Sequence, residues 1–433
     1  MWLVRGEVEV FARIAVAITL TILARQPVQA QTAQPLFPSE TAPLFRPDAA
    51  GTRAEPAYDP IGIASGSFRI LPKVELGAVT NSNIFSQDGG ADGEAYFVAQ
   101  PALRIVSDWG RHGFELDADA RIRRFASLES ENSEEFAVGA NGRYDLDYAS
   151  AIFTRIGYSR RIEPRGAGGP ANANAEPSAY SELGSSLGAS KEFGPLRLRA
   201  SISATRRRYD DIRLVAGGEQ DQSFRNSRAI TVTPRIDYAV SPAAGLFVTG
   251  SYSAVKSLDA PSCCVRDATG GTILAGVRAE LGRLVIGEVA AGWRTRSFER
   301  PQYRDFDGLT FDARIDWYPT ELVSFRLSAG QDIENSGIAS VAGIVTRNAT
   351  LSAYYEPLRN LRVIGSLRYF NEKYRELHVE TDSVGASLRA DYSFNRNLTL
   401  GLRASVRDRG SSDPQTVSEF HGYELGASLG YAI

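Results

Sequence analysis

From Ser67 onward, odd and even positions of the chain differ in chemistry over runs of about ten residues, the period of a strand with two unlike faces. Phe114, Leu116, Ala118, Ala120 and Ile122 interleave with Glu115, Asp117, Asp119, Arg121 and Arg123. A helix would scatter those charges around its circumference. The same split recurs where Leu196, Leu198, Ala200 and Ile202 alternate with Arg197, Arg199, Ser201 and Ser203, and where Leu309 to Trp317 alternates with Thr310 to Asp316. It recurs again where Val384 to Tyr392 alternates with Ser383 to Asp391. The pattern predicts strands near 68–80, 95–109, 113–126, 135–148, 150–161, 180–193, 196–208, 226–239, 245–256, 269–281, 284–298, 307–318, 321–331, 345–355, 361–370, 382–392, 398–408 and 418–433.

Short connections alternate with long ones. Gly110-Arg111-His112, Tyr148-Ala149, Gly194-Pro195, Gly282-Arg283 and Pro319-Thr320 are tight, whereas 163–178, 210–224 and 331–344 are long and rich in loop residues. On the apolar register, large aromatics gather at strand ends. Tyr144, Tyr148, Tyr238, Trp317, Tyr355, Tyr392 and Tyr431 lie near short turns, and Phe136, Tyr158, Tyr252, Trp293, Tyr369 and Tyr423 near long loops. Between them the register is mostly Ala, Val, Leu, Ile and Gly. Two aromatic belts flanking an apolar band fit a sheet standing in a bilayer. In hydrocarbon every backbone amide must be bonded within the protein, which a sheet achieves only by closing on itself. The predicted fold is therefore all-β, a transmembrane antiparallel up-and-down barrel of about eighteen strands with a water-filled polar lumen.

The rest of the chain divides into two further parts. Arg5 and Arg13 precede an uncharged stretch from Ile14 to Ala24 and the small-residue site Val28-Gln29-Ala30, the order of a cleaved signal peptide over residues 1–30. Residues 31–66, proline-rich with few large apolar residues, read as a disordered periplasmic tether, leaving 67–433 for the barrel. No later apolar run is long enough to cross a bilayer as a helix. The net charge of −3 gives no argument for nucleic acid.

Inside such a barrel the polar register carries Arg104, Arg121, Arg123, Arg143, Arg155, Arg197, Arg199, Arg235, Arg278, Arg294, Arg314, Arg326, Arg368, Arg389 and Arg403. They share that register with Asp117, Asp119, Asp145, Asp237, Asp312, Asp316 and Asp391. Lysine occurs only at 73, 191, 256 and 373, and every other one of the 48 basic residues is arginine. A guanidinium fork suits carboxylate or phosphate on a passing solute, which points to a weak anion preference. The same pairs could instead be a cross-strand lattice that stiffens the wall.

Cys263 and Cys264 are adjacent in a long loop, a vicinal disulfide or ordinary oxidised pair rather than a metal site, since no ligand spacing accompanies them. Catalysis would have to use His112, His378 beside Glu376 and Glu380, or His421 beside Ser418, and no nucleophile motif accompanies any of them. The expectation is a channel and not an enzyme, needing no cofactor.

The stretch Gly77-Ala78-Val79-Thr80-Asn81-Ser82-Asn83-Ile84-Phe85, with Pro101-Ala102-Leu103 and Ser107-Asp108-Trp109-Gly110-Arg111-His112, resembles the putative β-barrel porin 2 group of outer-membrane proteins, and the resemblance extends from about Ser67 to Ile433. Asn81 and Ser82 stand where that group usually has an acidic pair. The resemblance implies an outer-membrane barrel and a role in passing or exporting polysaccharide; it implies no catalytic residues. The last strand, alternating Tyr423, Leu425, Ala427, Leu429, Tyr431 and Ile433, looks like the segment that outer-membrane assembly machinery recognises, though such strands usually end in Phe or Trp. The expectation is thus a porin-like passage for hydrophilic, anionic solutes, both termini periplasmic, surrounded by outer-membrane lipid and lipopolysaccharide. The alternatives are an export port for an anionic polysaccharide working with periplasmic export components, and an outer-membrane hydrolase.

Overall fold

The computed structural model describes residues 49–88, 93–165, 176–214, 217–282 and 284–433. The expected signal peptide, the first part of the expected tether and Arg283 lie outside them. Eighteen long strands follow one another: β1 (Phe68–Asn81), β2 (Glu94–Ser107), β3 (Gly113–Phe125), β4 (Ser133–Asp147), β5 (Ser150–Ile162), β6 (Ala179–Phe193), β7 (Leu196–Tyr209), β8 (Ser227–Ser241) and β9 (Ala244–Ser257). They continue as β10 (Ala268–Leu281), β11 (Val285–Phe298), β12 (Phe306–Trp317), β13 (Val323–Asn335), β14 (Gly343–Leu358), β15 (Leu361–Tyr374), β16 (Val379–Ser393), β17 (Leu398–Ser411) and β18 (Phe420–Ala432). Each pairs antiparallel with the strands before and after it, and β1 closes the ring on β18 with Leu76 opposite Leu429 and Gly77 opposite Ser428. Every predicted strand is present. Closure is needed because an open edge cannot meet lipid, and the one thin seam is between β12 and β13, whose register runs only from Asp312 opposite Gly330 to Trp317 opposite Phe325.

Burial runs opposite to that of a soluble protein. Leu309 is 73% exposed and Phe97 70%, whereas Glu75, Glu135 and Glu372 are each 3% exposed. The apolar register thus points away from the barrel axis and the charged register toward it. All of the aromatics assigned to the two belts are outward and exposed. No helix among the described residues is long and apolar enough to cross a membrane.

The inward register is shaped by small residues where long ones must pass. Phe247 of β9 lies across Gly276 of β10, where an added Cβ would stand 2.5 Å from the ring. Arg235 of β8 stacks on that ring at 3.9 Å and so reaches over two strands to Glu288 of β11. A larger residue at 276 would lift the ring and break the reach.

Candidate functional site: the lumen and its two mouths

The inward arginines are placed largely as ion pairs with carboxylates on the same wall. Arg403 of β17 spans β18 to reach Glu75 of β1 at 2.5 Å, and Ser428 donates to the same carboxylate at 2.8 Å. Arg121 and Arg123 share Glu135 at 3.5 and 2.6 Å. Arg199 and Arg235 share Asp237 at 2.9 and 2.8 Å, with Arg235 also 2.9 Å from Glu288. Arg314 and Arg326 flank Asp316 at 3.3 and 2.5 Å, and Arg389 lies 2.6 Å from Asp391.

The remaining arginines vary. Arg294 pairs with Asp332 and Arg155 donates to Asn141. Near the short-turn end, Arg143 meets Asp145 at 2.8 Å, Arg197 donates to Glu192 at 2.7 Å, and Arg104 lies 2.7 Å from Glu115 and 3.7 Å from Asp117. Arg368 sits across Gly385 from Arg407 in the strand register. Arg278 faces Glu288 in register but has no ion pair among the described residues.

Glutamates are the residues that the sequence reading passed over. Glu75, Glu135, Glu182, Glu288, Glu356 and Glu372 are all buried in the inward register, and they remove most of the apparent excess of arginine over aspartate. Their positions fit the same odd–even parity that located the arginines, so the signal was available. Desolvating an ion pair costs several kcal/mol per charge and is repaid only by good geometry with extra hydrogen bonds. Shared carboxylates with several donors, such as Glu75 and Asp237, supply that geometry.

At the long-loop mouth, loops fold inward onto the wall. Val341 of loop 336–342 and Val417 of loop 412–419 pack on Ile344, Tyr374 and Val379, inward residues at the ends of β14, β15 and β16; Val341 and Tyr374 are 0% exposed. Three arginines hold successive loops together. Arg165 pairs with Glu131 and lies 5.5 Å from the Phe85 ring. Arg225 is 2.9 Å from Glu163 and 3.7 Å from the Tyr209 ring. Arg266 donates to the carbonyls of Ser336 at 2.6 Å and Ile338 at 2.5 Å and lies 4.8 Å from the Phe224 ring. Burial pulls the Arg266 guanidinium down to about 10, which still leaves it charged at neutral pH. Beneath this cap a cavity of about 190 Å³ is lined by Tyr96, Gln100, Arg121, Arg123, Arg403, Arg407 and Glu424.

The short-turn mouth is lined by residues 49–62, which follow the wall from β11 to β18. The reading of 31–66 as a disordered tether therefore needs correcting from residue 49 on. Ala49 and Ala50 are 1% exposed, with Ala49 against Ile286 and Tyr318, and Ser324 donates to the Ala50 carbonyl at 2.7 Å. Gly51, at φ +84°, passes so close to Tyr354 that a Cβ would stand 2.6 Å from its ring. Its amide and the Arg53 side chain both donate to Glu356 at 2.9 Å, and Arg396 holds the Pro56 carbonyl at 3.0 Å. Two alanines and a glycine fit beneath tyrosines where larger residues would not, a steric match that proline content cannot report.

Among the described residues, no histidine is hydrogen-bonded to a serine or cysteine. His112 stacks on Tyr144 at 4.3 Å and accepts the Asp145 amide at 3.2 Å. His421 lies 3.3 Å from Asp408 on the outward face, while Ser418 is buried, and His378 sits in a loop at φ +57°. Cys263 and Cys264 are joined as a vicinal disulfide.

Solved structures similar to this chain include OpdL of Pseudomonas aeruginosa (12% identity, 85% of this chain and 99% of that chain covered, TM-score 0.42). OccAB3 of Acinetobacter baumannii aligns at 9% identity over 85% of this chain and 100% of that chain, with a TM-score of 0.45. A mutant (Q482A) of the ferric enterobactin receptor PfeA of Pseudomonas aeruginosa aligns at 8% identity over 84% and 81% of the two chains, also at 0.45. No curated protein matches the chain. The family model described as putative beta-barrel porin 2 matches residues 55–430, almost the whole barrel, and the chain belongs to that family of porin-like outer-membrane β-barrels.

Proposed function

We propose that the barrel passes small hydrophilic solutes across the outer membrane, with the long loops at the cell surface and the short turns in the periplasm. The observation that carries this reading is the closed ring whose inward register holds the ion pairs while its outward register is apolar between the two aromatic belts. Eighteen strands enclose more space than side chains fill. The inward cap and the rim segment 49–62 leave less room at each mouth than the ring alone would, which favours small solutes over a polymer.

A weak anion preference belongs to the cavity under the cap rather than to the lumen as a whole. Arg121, Arg123 and Arg403 are held in ion pairs there, whereas Arg407 lies 6.0 Å from the Phe420 ring, feels the Glu424 carboxylate only through space and has no ion pair among the described residues. A guanidinium without a carboxylate partner can lend its donors to a passing carboxylate or phosphate. In planar bilayers under a salt gradient, the wild-type barrel is expected to show a reversal potential on the anion side, moved toward the cation side by Arg407→Glu. A cation-selective wild type, or a reversal potential unmoved by Arg407→Glu, contradicts the anion preference; absence of any conductance contradicts the channel.

A further inference from the structure

We propose that the outer wall of β7 and β8 holds a membrane lipid whose headgroup carries a phosphate monoester. Arg206 of β7 and Arg228 of β8 stand directly opposite each other in the antiparallel register, both exposed on the outward face. Lys256 of β9 is the next residue in the same row, opposite Arg228 on its other side. Like charges directly opposed across a sheet destabilise it.

Elsewhere on this wall a counter-ion removes that cost. Lys256 lies 3.0 Å from Asp267 and pairs with Glu299. Arg208, one step farther along the same face of β7, is 3.5 Å from Asp259, and Arg124 pairs with Glu134. Among the described residues neither the Arg206 nor the Arg228 side chain has a carboxylate or any other hydrogen-bonding partner. The pair is therefore an uncompensated dication on a face built for lipid.

Its height on the barrel fits a headgroup. Toward the barrel's middle the same rows turn apolar: Ala204 faces Ile230, and Ile202 faces Val232, which in turn faces the belt residue Tyr252. Ile202, Ile230 and Val232 are 48%, 51% and 43% exposed, a surface for acyl chains. Arg206 stands four residues beyond Ile202, roughly 13 Å along the strand, which carries it out of the hydrocarbon and into the polar layer. Opposed residues in an antiparallel pair lie about 5 Å apart at Cα, so two guanidinium forks can close on one phosphate. A monoester dianion neutralises both arginines, whereas a phosphodiester neutralises one.

This inference concerns the outer wall and is independent of what the lumen passes. Native mass spectrometry of the full-length barrel in detergent tests it, with three probes: lipid A carrying its phosphates, the same lipid chemically dephosphorylated, and phosphatidylglycerol. The phosphorylated lipid is expected to stay bound while the other two are lost. Arg206→Glu with Arg228→Glu is expected to lower its retention at least about tenfold. Should that double variant fail to fold, the single Arg228→Gln variant is expected to show a smaller loss in the same direction. Equal retention of all three lipids, or undiminished retention by folded variants, overturns the proposal.

Discussion

Replacing Glu372 with alanine is expected to destabilise the barrel by about 3–5 kcal/mol, the cost of stripping one partner from a buried ion pair. Arg409 reaches Glu372 at 2.7 Å, and both side chains are 4% exposed. Thr381 donates to the same carboxylate at 3.1 Å, and the Tyr374 hydroxyl lies 3.4 Å from it. Alanine leaves a buried guanidinium, a buried hydroxyl and the fully enclosed Tyr374 without their common acceptor. Glutamine keeps an acceptor oxygen and is expected to lose less. Urea titration followed by heat-modifiable gel migration measures both. A Glu372→Ala barrel that unfolds at the wild-type urea concentration would show that the inner ion pairs are not structural.

Excising residues 337–341 is expected to raise single-channel conductance severalfold. Val341 is fully enclosed against Ile344, Tyr374, Val379 and Val417, and Arg266 fastens the same loop through the Ser336 and Ile338 carbonyls. Removing the loop detaches the wedge while the strands that frame it keep their pairing, with Gly343 still opposite Asn335. Arg266→Ala is expected to act in the same direction with a smaller effect, because the apolar cluster remains. Unchanged conductance in the excised variant would place the narrowest point elsewhere, with the segment 49–62 the next to test.

Much of this architecture was legible from the chain because the sheet writes its two environments into alternate residues. Phe114 to Ile122 against Glu115 to Arg123 needs only one strand to be read, and the belt aromatics, from Tyr144 to Tyr431, were placed outward by parity alone. Features that depend on distant parts of the chain meeting were not legible in this way. Ala49, Ala50 and Gly51 carry no periodic signal; Ala49 packs on Tyr318, Ala50 is held by Ser324 and Gly51 passes against Tyr354, residues far along the sequence. The cap did leave a trace. Ile344, Tyr374 and Val379 are large apolar residues in the inward register, which makes sense only if something apolar covers them. The glutamates were equally visible by parity, and counting aspartates alone made the lumen look more basic than it is. Partner choice among arginines, such as the reach of Arg235 over Phe247 to Glu288, depends on side-chain length across three strand pairings and is not written in any one strand.

In the inverted barrel, apolar side chains face lipid and ionic ones face water inside the ring. Single cysteines placed in a Cys263→Ser, Cys264→Ser background and spin-labelled in reconstituted membranes report which way each face points. Labels at Val289 and Leu309 are expected to collide with dissolved oxygen and not with a polar nickel chelate. Labels at Ser203 and Ser387 are expected to do the reverse. Chelate access at Val289 and Leu309, with shielding of Ser203 and Ser387, would contradict the inverted barrel.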